Sequence, residues 1–200
     1  MPEKKVEILR LLSVALTRNK QAVLLEEFKR YTAATNWVIK AILKNHLRGP
    51  NRTKDAIGEE FAKEYDVRSI YLDDIITSAH AEITRYNKLA MTIRSMRDKT
   101  PFFRSGRIIL SQPIIKVGDK AVILKLQDRS EVAIPYDKRS RNRLAPKIEA
   151  ILRGEQKKVD VSGTALLNKR YERIRLTWNN EGFADIDIRA ILPENDDESQ

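Results

Sequence analysis

Two phenylalanines stand side by side at Phe102 and Phe103, within a stretch that also carries Arg94, Arg97, Lys99, Arg104 and Arg107. Aromatic faces stack on nucleobases, and guanidinium groups hold phosphates or stack in turn. Residues of these types so close together suggest reversible binding of a polynucleotide. Large apolar side chains are usually buried, so the competing reading makes at least one ring a core plug. A second cationic set, Lys138, Arg139, Arg141, Arg143 and Lys147, begins beside a single acid, Asp137. Such charges repel one another unless phosphates screen them, although a charge run is also the ordinary face of a solvated helix. A third set, Lys169, Arg170, Arg173 and Arg175, falls on a predicted turn and strand. The two-residue period puts Arg173 and Arg175 on one face with Tyr171 beside them, as on the oligonucleotide platforms of small barrels.

Catalysis finds little support in the residue types. His46 and His80 lie on different predicted helices, and neither has a carboxylate at metal-ligand spacing. Asp73 and Asp74 are adjacent and therefore point apart on a helix. Asp185 and Asp187 lie two apart on a predicted strand, an arrangement that can bind Mg²⁺. No third acid with a clear role accompanies them, so an exposed strand face is the simpler reading. The chain has no cysteine, which removes disulfides, thiolate zinc sites and thiol nucleophiles. It also lacks a phosphate-cradling glycine loop and a Gly-x-Ser-x-Gly elbow. No enzyme activity, cofactor or metal is expected of it.

Composition points the same way. Lysine and arginine total 38 against 28 acids, a formal charge of +10, and Glu194, Asp196, Asp197 and Glu198 leave the rest of the chain more basic still. A polyanion is the expected partner. Nucleic acid is favoured over a membrane surface, because no basic amphipathic segment accompanies a lipid-anchoring motif. Val6 to Leu16 is interrupted by Glu7, Arg10 and Ser13, so it does not read as a signal peptide, and no apolar run is long enough to span a bilayer. With no cysteine, a cytoplasmic location is expected. A third of the residues are charged, as in thermophilic proteins.

The elements that must position these residues follow from periodicity. Val6 to Leu16 reads as a buried strand. From Asn19, apolar residues at steps of three and four predict a long helix stopped by Gly49-Pro50. A short helix follows over Asn51 to Tyr65. A second long one opens at Ser69 and runs to Lys99, with Ile93 and Met96 in its apolar stripe and Pro101 ending it. Beyond it, Gly118-Asp119 marks a hairpin, and Glu131 to Ile134 reads as a strand. Ser140 to Arg153 reads as a helix whose regular part Pro146 forces to start late. Short strands are predicted at Lys157 to Val161, Thr164 to Asn168, Tyr171 to Trp178 and Phe183 to Ile188. The expected fold is α+β: a small antiparallel OB-like β-barrel from residues 1–16 and 107–190, an inserted helical lobe of two long helices over 17–106, and a disordered acidic tail over 191–200.

The order of these elements resembles a known family. A strand, a helix carrying Asn36-Trp37, and a second helix with Ala81 to Asn87 (Ala-x-x-x-x-Tyr-Asn) precede Pro101-x-x-Arg104. The strand series ends in Arg170-Tyr171-x-x-Ile174-x-Leu176. This looks like the N-terminal wedge and recognition-lobe region of TnpB-type RNA-guided nucleases of insertion sequences, the relatives of type V CRISPR effectors. The resemblance covers about residues 6–190 and implies binding of a guide RNA and reading of a short motif beside a DNA target. Asn36, Pro101, Arg104 and Tyr171 are the matching positions. The family's RuvC-like nuclease domain and its zinc-binding cysteines have no counterpart here. The resemblance therefore implies a nuclease-less fragment, a truncated relative or a domain repurposed for binding, which holds RNA or DNA through a basic groove with interleaved aromatics. The alternative is a protein-interaction or assembly module of a mobile element or virus with no direct nucleic-acid contact.

Overall fold

A computed structural model describes residues 4–154, 170–179 and 181–193. In chain order the elements are β1 (Lys4–Leu12), α1 (Arg18–Lys44), α2 (Pro50–Glu64), α3 (Ser69–Thr92), a 3-10 turn at Arg94–Met96, β2 (Arg107–Ser111), β3 (Ile115–Val117), β4 (Ala121–Lys125), β5 (Glu131–Pro135), α4 (Lys138–Arg153), β6 (Tyr171–Trp178) and β7 (Ala184–Pro193). The chain divides into two compact units: Met1–Gln21 with Ile109–Gln200, and Ala22–Ile108 between them in sequence.

The discontinuous unit is built on two antiparallel sheets. One has strand order β1-β7-β6-β2 and the other β3-β4-β5. In the four-stranded sheet, Leu9 and Leu11 of β1, Ile186, Ile188 and Ala190 of β7, and Ile174 and Leu176 of β6 are buried. The intervening residues Ile8, Arg10, Asp185, Arg189 and Arg175 are exposed, as expected of a sheet with one solvated face. The expected barrel is not present among the described residues: both sheets are open. A single bridge, Ser13 to Tyr136, joins the end of β1 to the end of β5 and extends no further. The physical reason lies in α4, which takes the β1 edge that a closing strand would need. Ser140 Oγ receives the Leu12 N–H at 3.4 Å, the Leu12 carbonyl accepts from Asp137 N at 2.7 Å, and the Arg143 guanidinium donates to the Arg10 carbonyl at 3.2 Å.

Helix α4 starts earlier than Pro146 predicts, because Asp137 caps it by accepting the Ser140 N–H at 3.0 Å. Pro146 is tolerated on an exposed face, where the Asn142 carbonyl it cannot bond lies on a residue that is also exposed. The helix ends at Gly154, where a Cβ would lie 1.9 Å from Arg170 Cγ, so glycine is needed there for close approach. The predicted strands at 157–161 and 164–168 lie outside the described residues. The expected tail begins too early, since Ile191 and Leu192 still pair with Val6 and Lys5 in β7; residues 194–200 lie outside the described residues.

The second unit is helical but is not a pair of long helices. α1, α2 and α3 all contribute, and α2 packs along α3. Its core is aromatic: Phe28 and Tyr31 of α1, Phe61 of α2 and Tyr71 of α3 are fully buried. The rings of Tyr31 and Tyr71 meet edge to face at 6.0 Å, and the Tyr31 hydroxyl shares a hydrogen bond of 2.7 Å with Ser78 Oγ. Charges are buried with them. Asp66, just before α3, accepts from the Arg68 backbone N–H and Nε at 2.9 Å and from the Arg68 terminal nitrogen at 2.6 Å. Arg68 and Arg30 lie against the Tyr71 ring at 5.3 and 5.5 Å, and Arg30 pairs with Glu27. Burial pushes the Glu27 carboxyl up against the pull of Arg30. No helix among the described residues is long and apolar enough to cross a membrane.

Candidate nucleic-acid interface

In the helical unit the segment from the end of α3 to β2 presents one ring and buries the next. Phe102 is 60% exposed and Phe103 is 1% exposed, with Pro101 buried on the other side. The backbone is braced on both sides of Phe102. Asn36 of α1 holds Phe103 as a neighbouring strand would: its Oδ1 accepts the Phe103 N–H at 2.8 Å and its Nδ2 donates to the Phe103 carbonyl at 3.0 Å. The Tyr86 hydroxyl of α3 sits between the carbonyls of Met96 and Lys99, which share its one proton. The Phe103 ring packs on Tyr31 at 5.7 Å.

Around this braced ring, Arg94, Arg97, Lys99 and Arg104 are all exposed, as is Lys88 on the last turns of α3. Arg97 Nε donates to the Ala90 carbonyl at 3.3 Å, satisfying one of the orphan acceptors where α3 ends. Arg94, Lys99, Arg104 and Lys88 make no ion pair among the described residues, and Asp98 is the one acid between Lys88 and Arg107. Helical spacing predicts Ile93 inward, but α3 stops at Thr92 and Ile93 turns extended. Ile93 is therefore exposed, as is Met91 on the last turn of α3.

Arg107 belongs to the fold rather than to this surface. Its guanidinium covers the Phe103 ring at 4.7 Å and pairs with the buried Glu82 at 3.0 Å, while Arg85 takes the other Glu82 oxygen. Phe103 is likewise a core residue, as the competing reading of the sequence had it. Asn36 is explained by its clamp on the Phe103 backbone. Losing that clamp strands two backbone polar groups of a buried residue. Asn36→Ala is thus expected to destabilise the protein by about 2 kcal/mol or more. Asn36→Asp, which keeps the acceptor and sets a carboxylate against the Phe103 carbonyl, should also be unstable; equal urea midpoints for wild type and both variants would exclude the clamp.

The other two cationic sets lie in the discontinuous unit. At the start of α4, Lys138 and Arg139 are exposed and form no ion pair among the described residues, and no acid occupies the first helical turn. Cations there oppose the helix dipole, and the capping Asp137 carboxylate offsets this only in part. Arg141 is taken by Asp119 at 2.7 Å, Lys147 by Glu7 at 2.7 Å, and Arg143 by the Arg10 carbonyl, although Arg143 stays exposed.

On β6 the predicted platform breaks. A bulge between Tyr171 and Ile174 sets Tyr171 opposite Ala190 and Ile174 opposite Ile188, so both face inward. Tyr171 is buried, and its hydroxyl accepts the Val117 N–H at 3.3 Å. Arg175 is exposed but paired with Asp187, Arg173 is half-buried, and the Arg170 carbonyl accepts the Ile191 N–H at 2.7 Å. Asp187 is thus engaged by a cation, and no cluster of three or more metal-ligating side chains occurs among the described residues. Lys169 lies outside them. No family model matches the chain, and no curated protein matches it.

Proposed function

We propose that this protein binds nucleic acid, RNA or DNA, chiefly through its phosphates, as the likeness to the wedge and recognition-lobe region of TnpB-type nucleases implies. The observation that carries this reading is the braced, exposed Phe102 on a segment whose Arg94, Lys99 and Arg104 have no acidic partner among the described residues. Unpaired cations at this density attract a polyanion, and an aromatic held out among them adds a face on which a base can lie. Lys138 and Arg139 at the start of α4 supply a second phosphate contact of the same kind.

Binding of a fluorescent oligonucleotide, followed by anisotropy across a salt series, tests the proposal. If about six phosphates are neutralised, the log–log slope should be near ~5 on duplex and ~4 on single strands. Changing Arg94, Lys99 and Arg104 together to glutamine should lower the single-strand slope by about 2. A wild-type slope below about 2 would remove the electrostatic role.

A second reading, a protein-interaction module, rests on Val6 and Ile8, which are 49% and 53% exposed on the solvent face of β1. It predicts negligible oligonucleotide binding at about 0.1 M salt, where the Debye length is about 10 Å.

A further inference from the structure

Resting on the nucleic-acid reading, we infer that the Phe102 segment takes unpaired bases, and that Phe102 is a stacking platform for one of them. A duplex offers a protein its phosphates and the edges of its base pairs, while the base faces are covered by their neighbours. An exposed ring at a duplex surface would gain nothing unless it were driven between base pairs, which requires unstacking them. A single strand offers free π-faces, and any base will do.

The structure meets the two demands that stacking makes. The ring must be open, and Phe102 is 60% exposed. It must also be held in place, since a ring on a mobile loop loses conformational entropy when a base covers it. Here the flanking residues Pro101 and Phe103 are both buried, Asn36 clamps both polar groups of the Phe103 backbone, and the Tyr86 hydroxyl ties down the carbonyls of Met96 and Lys99. What remains free is the Phe102 side chain. Lys99 on one side of it and Arg104 on the other are exposed and form no ion pair among the described residues, so a strand whose base covers the ring finds cations for its phosphates both before and after. Arg107, by contrast, is committed to Glu82 and to the inner ring of Phe103, which leaves Phe102 as the outward aromatic of the pair.

The test compares wild type with Phe102→Ala, Phe102→Leu and Phe102→Trp. Probes are labelled single-stranded DNA and RNA of mixed sequence, about 12 nucleotides long, within the ~4–16 range of known single-strand sites, and a duplex of the same length, all at one ionic strength. Because Phe102 is exposed, the variants should fold, which far-UV circular dichroism checks. Phe102→Ala is expected to weaken single-strand binding by roughly 5- to 100-fold with the salt slope unchanged, and to leave duplex binding nearly as it was. Tryptophan should restore the loss and leucine should not.

An equal loss on duplex, or full rescue by leucine, would show an apolar wedge in place of a stacking face and overturn the inference. So would unaltered single-strand affinity in Phe102→Ala. If wild type binds none of the probes at low salt, the nucleic-acid reading fails first and this inference with it. If the cation-to-glutamine variant loses slope while Phe102→Ala loses nothing, the reading stands and the stacking inference alone is overturned.

Discussion

Replacing Phe103 by alanine is expected to lower stability by about 3–5 kcal/mol, the usual loss when a fully buried phenylalanine is truncated. The ring is 1% exposed, and it fills the space between Tyr31 and the guanidinium of Arg107. Removing it leaves a cavity on one side and uncovers Arg107 on the other, so the change should sit toward the upper part of that range. Phe103→Leu separates the two contributions. It keeps most of the apolar volume and loses the stacking of Arg107, which should cost about 1 kcal/mol. The measurement is urea unfolding followed by Trp37, whose indole lies 5.8 Å from Tyr65 and 6.2 Å from Phe61 in the same unit, in a Trp178→Phe background. A Phe103→Ala midpoint equal to wild type would contradict the packing described here.

The second large effect is at Asp66. Its carboxylate is fully buried, and it accepts from the backbone N–H, Nε and a terminal nitrogen of Arg68, with Arg30 near it at 3.9 Å. Asp66→Ala is expected to cost about 3 kcal/mol, the low end for breaking a buried pair, because both arginines keep some solvent. Part of that loss comes from the missing backbone acceptor at the entry to α3, and the rest from guanidinium groups left beside the Tyr71 ring without a counter-charge. Replacing both partners, Asp66→Leu with Arg68→Met, should recover much of the difference, since no stranded charge remains. If the double variant is less stable than Asp66→Ala, the stranded charge is not the cause.

Most helices and strands were legible because their burial follows a simple period. The apolar steps of α1 and of most of α3 are of this kind. The barrel was not legible. Alternation tells which side of a strand is buried but says nothing about which strand lies beside it, and the edge of β1 is filled by the side chains of α4. Proline at 146 misled in the opposite direction: its cost is local, and the Asp137 cap outweighs it. Tyr171 was misplaced by one bulge, because a single extra residue reverses every face assignment before it.

For the candidate site, the sequence showed which side chains were present and not which were occupied. Arg104 and Arg107 look alike in the chain. Arg107 is distinguished by Glu82, a partner many positions away, and Phe102 is separated from Phe103 by an amide on α1. The exposure of Ile93 came from α3 ending at Thr92, a boundary of the kind that apolar spacing marks poorly.

In the four-stranded sheet, β1 pairs along its whole length with β7, the last described strand, from Lys4 opposite Pro193 to Leu12 opposite Asp185. On a ribosome β1 must therefore wait for β7, which is made only after the helical unit and the other described strands. The helical unit, whose partners are encoded within one stretch, can be complete by then, so folding of these residues can begin in the middle of the sequence while β1 stays open until β7 arrives.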